Sequence, residues 1–399
     1  MLNPQPLNIW RVNCEFFPNA PFVFFYDVSS VWCLMKLKKQ KLVKEFKDFI
    51  SSITKKDRVA VIHHTDPDGV CSGVIASKLV RRIRKKKIDL RLNQKGNVHH
   101  ITGETLRKLK AKKINKVIIT DLSVDESPEG IKKLSKFAKI MIIDHHPVYN
   151  NLKSDNVVFI KSSLISNIVP VRYCAAKLTY DLGSLVTDLS DLDWMAASGA
   201  IGDLATAPFK PWLNKVMKKY NINPNKDLFK TKLGKVAILI SSAESFDTKN
   251  VKLCYDIVYR AKSPQDVLNS RLKVFRKKID DELQYYIRNI RKFAEIHSEL
   301  DLIIYEIKSK YNIKSPLCTL LGIKYPRKTI LTVSKKNGKI SISARRGDCN
   351  VAVNELLENA VKGIPDSNAG GHVPAAGAVI PKKYYKKFKK RVINLLEKR

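Results

Sequence analysis

No run of about 18 consecutive apolar residues occurs anywhere in the chain, so nothing in it is long enough to cross a membrane as a helix. It also lacks any Cys-x-x-Cys pair. Cys14, Cys33, Cys71, Cys174, Cys254, Cys318 and Cys349 are odd in number and dispersed, which excludes a disulfide framework or a thiolate zinc site and fits reduced thiols in a cytoplasmic protein. No internal repeat at a fixed period is present, so solenoid and propeller architectures are excluded. Lysine is missing from residues 1–34, which carry only Arg11, Glu15 and Asp27 as charges and are crowded with aromatics such as Trp10, Phe16, Phe17 and Trp32. They form no secretory signal, since there is no basic start and no small-residue cleavage site. We read 1–34 as an extension without function and Met35 as the functional start.

Acids are scarce: 37 against 74 lysines and arginines, a formal charge of +37 over 399 residues. An excess of that size implies a polyanionic partner, most simply nucleic acid, because each neutralised phosphate releases counterions. A length of 399 residues exceeds one typical core, so two or more domains are expected.

From Asp57 to about Asp155 short β-branched runs alternate with lysine-faced amphipathic segments. Strands are predicted at Arg58–His63, Ile88–Leu92, Lys116–Thr120, Lys139–Ile143 and Val157–Ile160. Helices are predicted around Val70–Arg84, Thr102–Lys112 and Ser127–Ala138, the last with Ser127 as cap and Pro128 at the first helical position. Such alternation gives a parallel, doubly wound α/β sheet. Residues 172–300 read as mostly helical, including one long helix from Pro264 to Ile296, and strands return at Leu302–Tyr305, Thr329–Ser334 and Lys339–Ala344. Gly363–Gly377 reads as a Gly/Pro-rich loop and Lys382–Arg399 as a basic helix. The expected domains are a catalytic α/β domain at 35–205, a helical insert or linker at 206–298 and a smaller α/β domain at 299–399.

Chemistry concentrates where the strands should end. His64-Thr65-Asp66-Pro67-Asp68-Gly69 follows the first strand, Asp121 the third, and Asp144-His145-His146 the fourth; Asp203 closes Gly199-Ala200-Ile201-Gly202-Asp203. Open α/β sheets bind ligands beyond the carboxyl ends of their strands. Oxygen and imidazole donors without thiolate suit hard or borderline cations such as Mn²⁺ or Mg²⁺. Two such ions about 3.5–4 Å apart would activate water and neutralise an attacked phosphate. A shared carboxylate is then needed, and Asp121 is the candidate. Taken singly, each motif is also a polar turn or a capped strand exit; their ordered recurrence is what argues for a metal site.

The segments HTDPDG, TDLS, IDHHP and GAIGD resemble, in order, the four motifs of the DHH phosphoesterase superfamily. SARRG and GGHVPAAG resemble the Ser-x-Arg and Gly-Gly-His elements of its DHHA1 substrate domain. The resemblance implies that His64 and Asp68 hold one ion, that Asp66, His145 and Asp203 complete the other, and that Asp121 bridges as a catalytic residue. His146 would face the scissile phosphate, while Arg345, Gly370, Gly371 and His372 would grip substrate phosphate. Val70 stands where small-substrate members often carry a further Asp, and Asp66 supplies that carboxylate instead, an arrangement associated with RecJ-type nucleases.

Basic clusters at Arg81–Lys87, Arg107–Lys116 and Tyr384–Arg391, each on its own a solvated helix face, together fit a track for a phosphate backbone, with Tyr384, Tyr385 and Phe388 as candidate base-stacking rings of which at least one is expected in the core. The expectation is a Mn²⁺- or Mg²⁺-dependent exonuclease of the archaeal RecJ-like type, acting on single-stranded DNA or RNA and serving DNA repair or replication. The alternatives are a short-oligonucleotide or cyclic or 3′-phosphorylated nucleotide phosphodiesterase, and a replisome scaffold; the resemblance also implies the GINS complex as a candidate partner.

Overall fold

The computed structural model describes residues 40–398 apart from 95–97 and 99, so the extension read at 1–34 lies outside the described residues. The chain divides into two compact units, 40–273 and 274–398 among the described residues.

The first unit is built on five strands: β1 (Val59–His64), β2 (Leu90–Gln94), β3 (Lys116–Thr120), β4 (Lys139–Asp144) and β5 (Val157–Lys161). Their order is β2-β1-β3-β4-β5, all parallel. Both faces are covered, as all-parallel sheets require, so β3 is buried at every position and its side chains split by parity. Val59, Val61, Ile118, Met141 and Ile143 enter one core, and Ala60, Ile62, Val117, Ile119 and Ile142 the other. Each large aliphatic side chain among them contributes roughly 1.5–3 kcal/mol on burial. The helices α1 (Gln40–Ser51), α2 (Pro67–Arg84), α3 (Gly103–Ala111) and α4 (Glu129–Leu134) accompany the strands. Asp66 caps α2, its Oδ1 accepting from Gly69 N–H at 2.8 Å, and Thr102 caps α3. Ser127 does not cap α4: the helix begins one residue past Pro128, with no side-chain cap.

Helices Ala175–Ser184, Asp193–Gly202, Lys232–Phe246 and Val251–Arg260 pack in the same unit, so the stretch to 273 is continuous with the sheet domain. The single long helix expected from Pro264 to Ile296 is instead three helices, Pro264–Leu268, Leu272–Arg288 and Ile290–Phe293, followed by a strand. Ser270 ends the first, its hydroxyl donating to Val267 O and accepting from Leu272 N–H, and Asn289 leaves helical geometry between the other two.

The second unit holds a mixed sheet of β6 (Glu295–His297), β7 (Leu302–Ile307), β8 (Thr329–Lys336), β9 (Lys339–Arg345), β10 (Asn368–His372) and β11 (Ala375–Pro381), ordered β10-β11-β9-β8-β7-β6. The expected Gly/Pro-rich loop is in fact the β10–β11 hairpin. Its small residues hid the pattern, yet Ala376, Ala378 and Ile380 alternate inward against Leu357, Phe388 and Val392. Among the described residues no helix is long and apolar enough to cross a membrane.

Candidate metal centre

The strand order reverses between β1 and β3, since β2 lies on one side of β1 and β3 on the other. That is the switch point where open α/β sheets leave a crevice at their carboxyl edge. His64 ends β1, Asp66 and Asp68 follow on the cap and first turn of α2, and Asp121 comes directly after β3. Asp144 is the last residue of β4 and His145 the next. Asp203 arrives from a helix, as the residue following Asp193–Gly202, and not from a strand.

The structure brings these residues together. His64 Nδ1 lies 3.1 Å from Asp66 Oδ2 and 3.4 Å from Asp121 Oδ2; His145 Nε2 lies 3.3 Å from Asp121 Oδ1, and its Nδ1 3.7 Å from Asp203 Oδ2. Three sets each place ligand atoms within 4.8 Å of one another: His64/Asp66/Asp121, Asp68/His145/Asp203 and Asp121/His145/His146. Asp121 belongs to two of them. Relative to the expected pairing, Asp66 and Asp68 exchange places: the cap residue Asp66 stays beside His64, while Asp68, one turn into α2, falls with His145 and Asp203. Asp68 is oriented by two backbone donors, Ala175 N–H and Ala176 N–H, each at 2.8 Å. Gly69 is required here, because a Cβ on it would stand 2.4 Å from that of His64. Asp121 has a left-handed backbone (φ 59°), a conformation Asp tolerates better than most residues and one that clusters at functional sites.

The electrostatics fit a bound cation. Burial together with the Asp121 charge pushes Asp68 up to about 7, and burial with the neighbouring carboxylates pushes Asp203 well up. Against the cost of burial, the Asp66 and Asp121 carboxylates hold His64 well above the ordinary imidazole range, and Asp121 and Asp203 do the same for His145. Four carboxylates thus crowd one site and call for positive charge. Asp121 Oδ2, His145 Nδ1 and Asp203 Oδ2 are buried without a hydrogen-bond partner, the state expected of ligand atoms. Cys71 and Cys174 lie beside Asp68, but burial and that carboxylate push both thiols well up, so they stay neutral and the donor set is oxygen and imidazole.

Sequence reasoning missed the support beneath this layer. Asp144, fully buried, accepts from His146 Nδ1 at 2.7 Å and pairs with Lys161 Nζ at 2.9 Å. Lys161, also fully buried, reaches Asp125 Oδ1 at 2.7 Å and donates to Pro147 O at 2.7 Å. The signal was a lysine ending the apolar strand VVFIK. Beneath His64 sits the fully buried His63, pushed down to about 3 by burial and the Arg91 charge, hence neutral. Arg91 Nη1 donates to its Nε2 at 3.1 Å, so its Nδ1 carries the proton given to His64 O at 2.6 Å. Thr65 donates to Glu244, tying this loop to the helix Lys232–Phe246.

The remaining expected residues lie in the second unit. Arg345 ends β9 opposite Ala375 of β11, and His372 closes β10 opposite the same residue. Gly371 needs to be glycine, since its φ is +142° and a Cβ would meet Ala375 O at 2.5 Å. Nothing lies within 4 Å of a Cβ on Gly370, so the fold itself does not demand glycine there. Of the basic clusters, Arg84 is structural: its side chain is fully buried, pairs with Asp89 at 2.9 Å and donates to Asp57 O, Lys86 O and Lys87 O. Arg82 is taken by Asp191. Phe388 is a core residue, not a stacking ring.

Residues 58–202 match the model of the DHH family, N-terminal domain, and residues 312–398 that of the DHHA1 domain, together more than half of the chain. The chain belongs to the DHH family. Solved structures similar to this DHH-family chain include RecJ from Thermus thermophilus in complex with Mn²⁺ (14% identity, TM-score 0.70), covering 92% of this chain and 56% of that one. Exonuclease RecJ bound to manganese is another (14% identity, TM-score 0.63, covering 91% and 96%), and CDC45 from Entamoeba histolytica a third (10% identity, TM-score 0.50, covering 89% and 98%). At these identities the shared property is the fold, which is RecJ-like. The chain spans little more than half the length of the Thermus RecJ. No curated protein matches the chain.

Proposed function

We propose that this DHH-family protein is a divalent-cation-dependent phosphodiesterase that removes nucleotides from single-stranded DNA or RNA. The observation that carries this reading is Asp121, one buried carboxylate shared between two ligand sets, one with His64 at the end of β1 and Asp66 at the cap of α2, the other with His145 and His146 just after β4. His64 and Asp66 on one side, and Asp68, His145 and Asp203 on the other, would each hold one ion, with Asp121 common to both. Mn²⁺ or Mg²⁺ there would supply Lewis acidity toward phosphate and water. The residues around them do the positioning. His146 has Nδ1 committed to Asp144, which leaves its Nε2 to donate to a phosphate oxygen where charge develops. Arg345 and, across the intervening strand β11, Gly370, Gly371 and His372 of β10 would take up a substrate phosphate, the glycines through backbone N–H groups.

The charge of +37 supports a long polyanionic substrate over a dinucleotide, which would need no extended basic surface. The test is incubation with Mn²⁺ and end-labelled 30-mers and 3-mers of DNA and RNA. Stepwise shortening of the 30-mers from one end is the expected result; cleavage of 3-mers alone would assign the short-oligonucleotide activity instead. A replication-assembly partner such as GINS belongs to the same proposal, and co-purification of the active enzyme with it is the check.

A further inference from the structure

The buried ions beneath the centre also fix a surface loop. Asp125 is fully buried, with one oxygen on Lys161 at 2.7 Å and the other accepting from Tyr149 N–H at 2.8 Å and from Asn150 N–H at 3.4 Å. Asn150 Nδ2 donates back to Asp125 O at 2.8 Å, and Lys161 donates to Pro147 O at 2.7 Å. Residues 147–150 are thus fastened at one carbonyl, at two consecutive N–H groups and at the Asn150 side chain.

What this loop displays is apolar. Val148 is 41% exposed and Tyr149 54%. The loop leaves directly from His146, whose side chain is also open to solvent and is oriented by the same ions through Asp144. Lys161 Nζ stands over the Tyr149 ring, 6.0 Å from its centroid, so one face of the ring is turned inward to a buried cation and the opposite face is open.

A single exposed aromatic side chain needs no explanation. Here, however, ions that are costly to bury place their remaining hydrogen bonds on the backbone that carries the ring, which makes its position rigid. The ring also stands three residues after His146, so no more than about 11 Å separates the two Cα atoms. A nucleobase attached next to the phosphate that His146 would face lies within that reach, and every base offers a π-face to an aromatic ring.

We propose that Tyr149 is a stacking platform for an unpaired nucleobase beside the metal centre, and that Asp125 and Lys161 are positioning residues that hold it there. The inference rests on the phosphodiesterase reading and adds to it a contact to the base, separate from every phosphate-binding group. Such a platform takes bases of DNA or RNA without regard to sequence, and only from a strand whose bases are free to leave their own stack.

The experiment is equilibrium binding to the full chain in EDTA, where the proposed hydrolysis is stopped, of a thymidine decamer and of a decamer with the same phosphates but abasic sugars throughout. Tyr149→Ala should weaken the thymidine decamer about tenfold, within the range for one lost stacked base, and leave the abasic decamer unchanged. Tyr149→Phe and Tyr149→Trp should keep the preference for bases, whereas Tyr149→Leu, apolar without a π-face, should lose most of it. Should the alanine variant not fold, the leucine variant decides. Equal weakening of both decamers, or no change in either, overturns the platform. If the wild type with Mn²⁺ shortens no strand yet keeps the Tyr149-dependent preference, the platform stands and the phosphodiesterase reading falls; normal shortening without that preference gives the reverse.

Discussion

Replacing Lys161 with methionine removes a cation that has no access to solvent and is held by Asp125 at 2.7 Å, Asp144 at 2.9 Å and Pro147 O at 2.7 Å. Methionine keeps most of the volume, so packing changes little and the effect isolates charge. Breaking a buried pair by deleting one partner costs about 3–5 kcal/mol, because the other charge is left uncompensated. Here both carboxylates keep a second donor: Asp125 accepts from Tyr149 N–H at 2.8 Å, and Asp144 from His146 at 2.7 Å. The lower end, about 3 kcal/mol, is therefore expected. For a unit of this size each kcal/mol moves Tm by roughly 2–4 °C, so Lys161→Met should lower it by about 6–12 °C in a thermal melt followed by tryptophan fluorescence. Adding Asp125→Asn should recover part of that loss, since it removes one of the two stranded charges. A drop of less than about 2 °C, or further destabilisation by Asp125→Asn, would refute the view that Lys161 neutralises the pair beneath the centre.

Three further outcomes are expected. Asp121→Asn keeps a residue that tolerates the left-handed backbone and should cut hydrolysis at least about 10²-fold, while Tm in EDTA stays level or rises as like charges are relieved; near-normal turnover would sink the shared-ligand assignment. Asp89 is held below the usual carboxylate range: burial opposes this, but Val59 N–H and the buried Arg84 dominate. Its folded value is below its unfolded one, so its contribution is present above the unfolded value near ~4 and is lost as pH falls through the folded value. Asp89→Asn should thus cost about 1–3 kcal/mol in urea unfolding at neutral pH and converge with the wild type at acid pH; a pH-independent gap would refute this. Finally, binding of a 30-mer should weaken steeply with salt and that of a 3-mer only slightly; neutralising Arg81, Lys85, Lys86 and Lys87 while sparing the structural Arg84 should flatten the steep slope, and identical slopes for both lengths would remove the basic track.

The parallel sheet was legible because its strands are β-branched runs buried on both faces, and the acids and imidazoles at their ends stood out against that background. Asp203 was found by its motif, and its place at a helix end agrees with the mostly helical reading of residues 172–300. The β10–β11 hairpin escaped because glycine and alanine give weak strand propensity; its pairing is decided by the neighbouring β9. The breaks at Ser270 and Asn289 depend on hydrogen bonds from side chain to backbone, which compete with helix locally and leave no periodic trace. Lys161 stayed invisible because its partners, Asp125 and Asp144, are distant in sequence and meet it only when β4 and β5 pair.

The donors of the centre are gathered from position 64 to position 203, on three strand ends, the start of α2 and the end of a helix. A partly folded chain consequently owns no site, and cation affinity is a property of the assembled unit alone. With the proposed cation bound there, its concentration would be a thermodynamic handle on the entire first unit: an ion at 100 times its dissociation constant would add about 2.7 kcal/mol to unfolding. On the proposed reading, withdrawing the cation would not only silence the protein but loosen it, coupling metal supply to the lifetime of the fold.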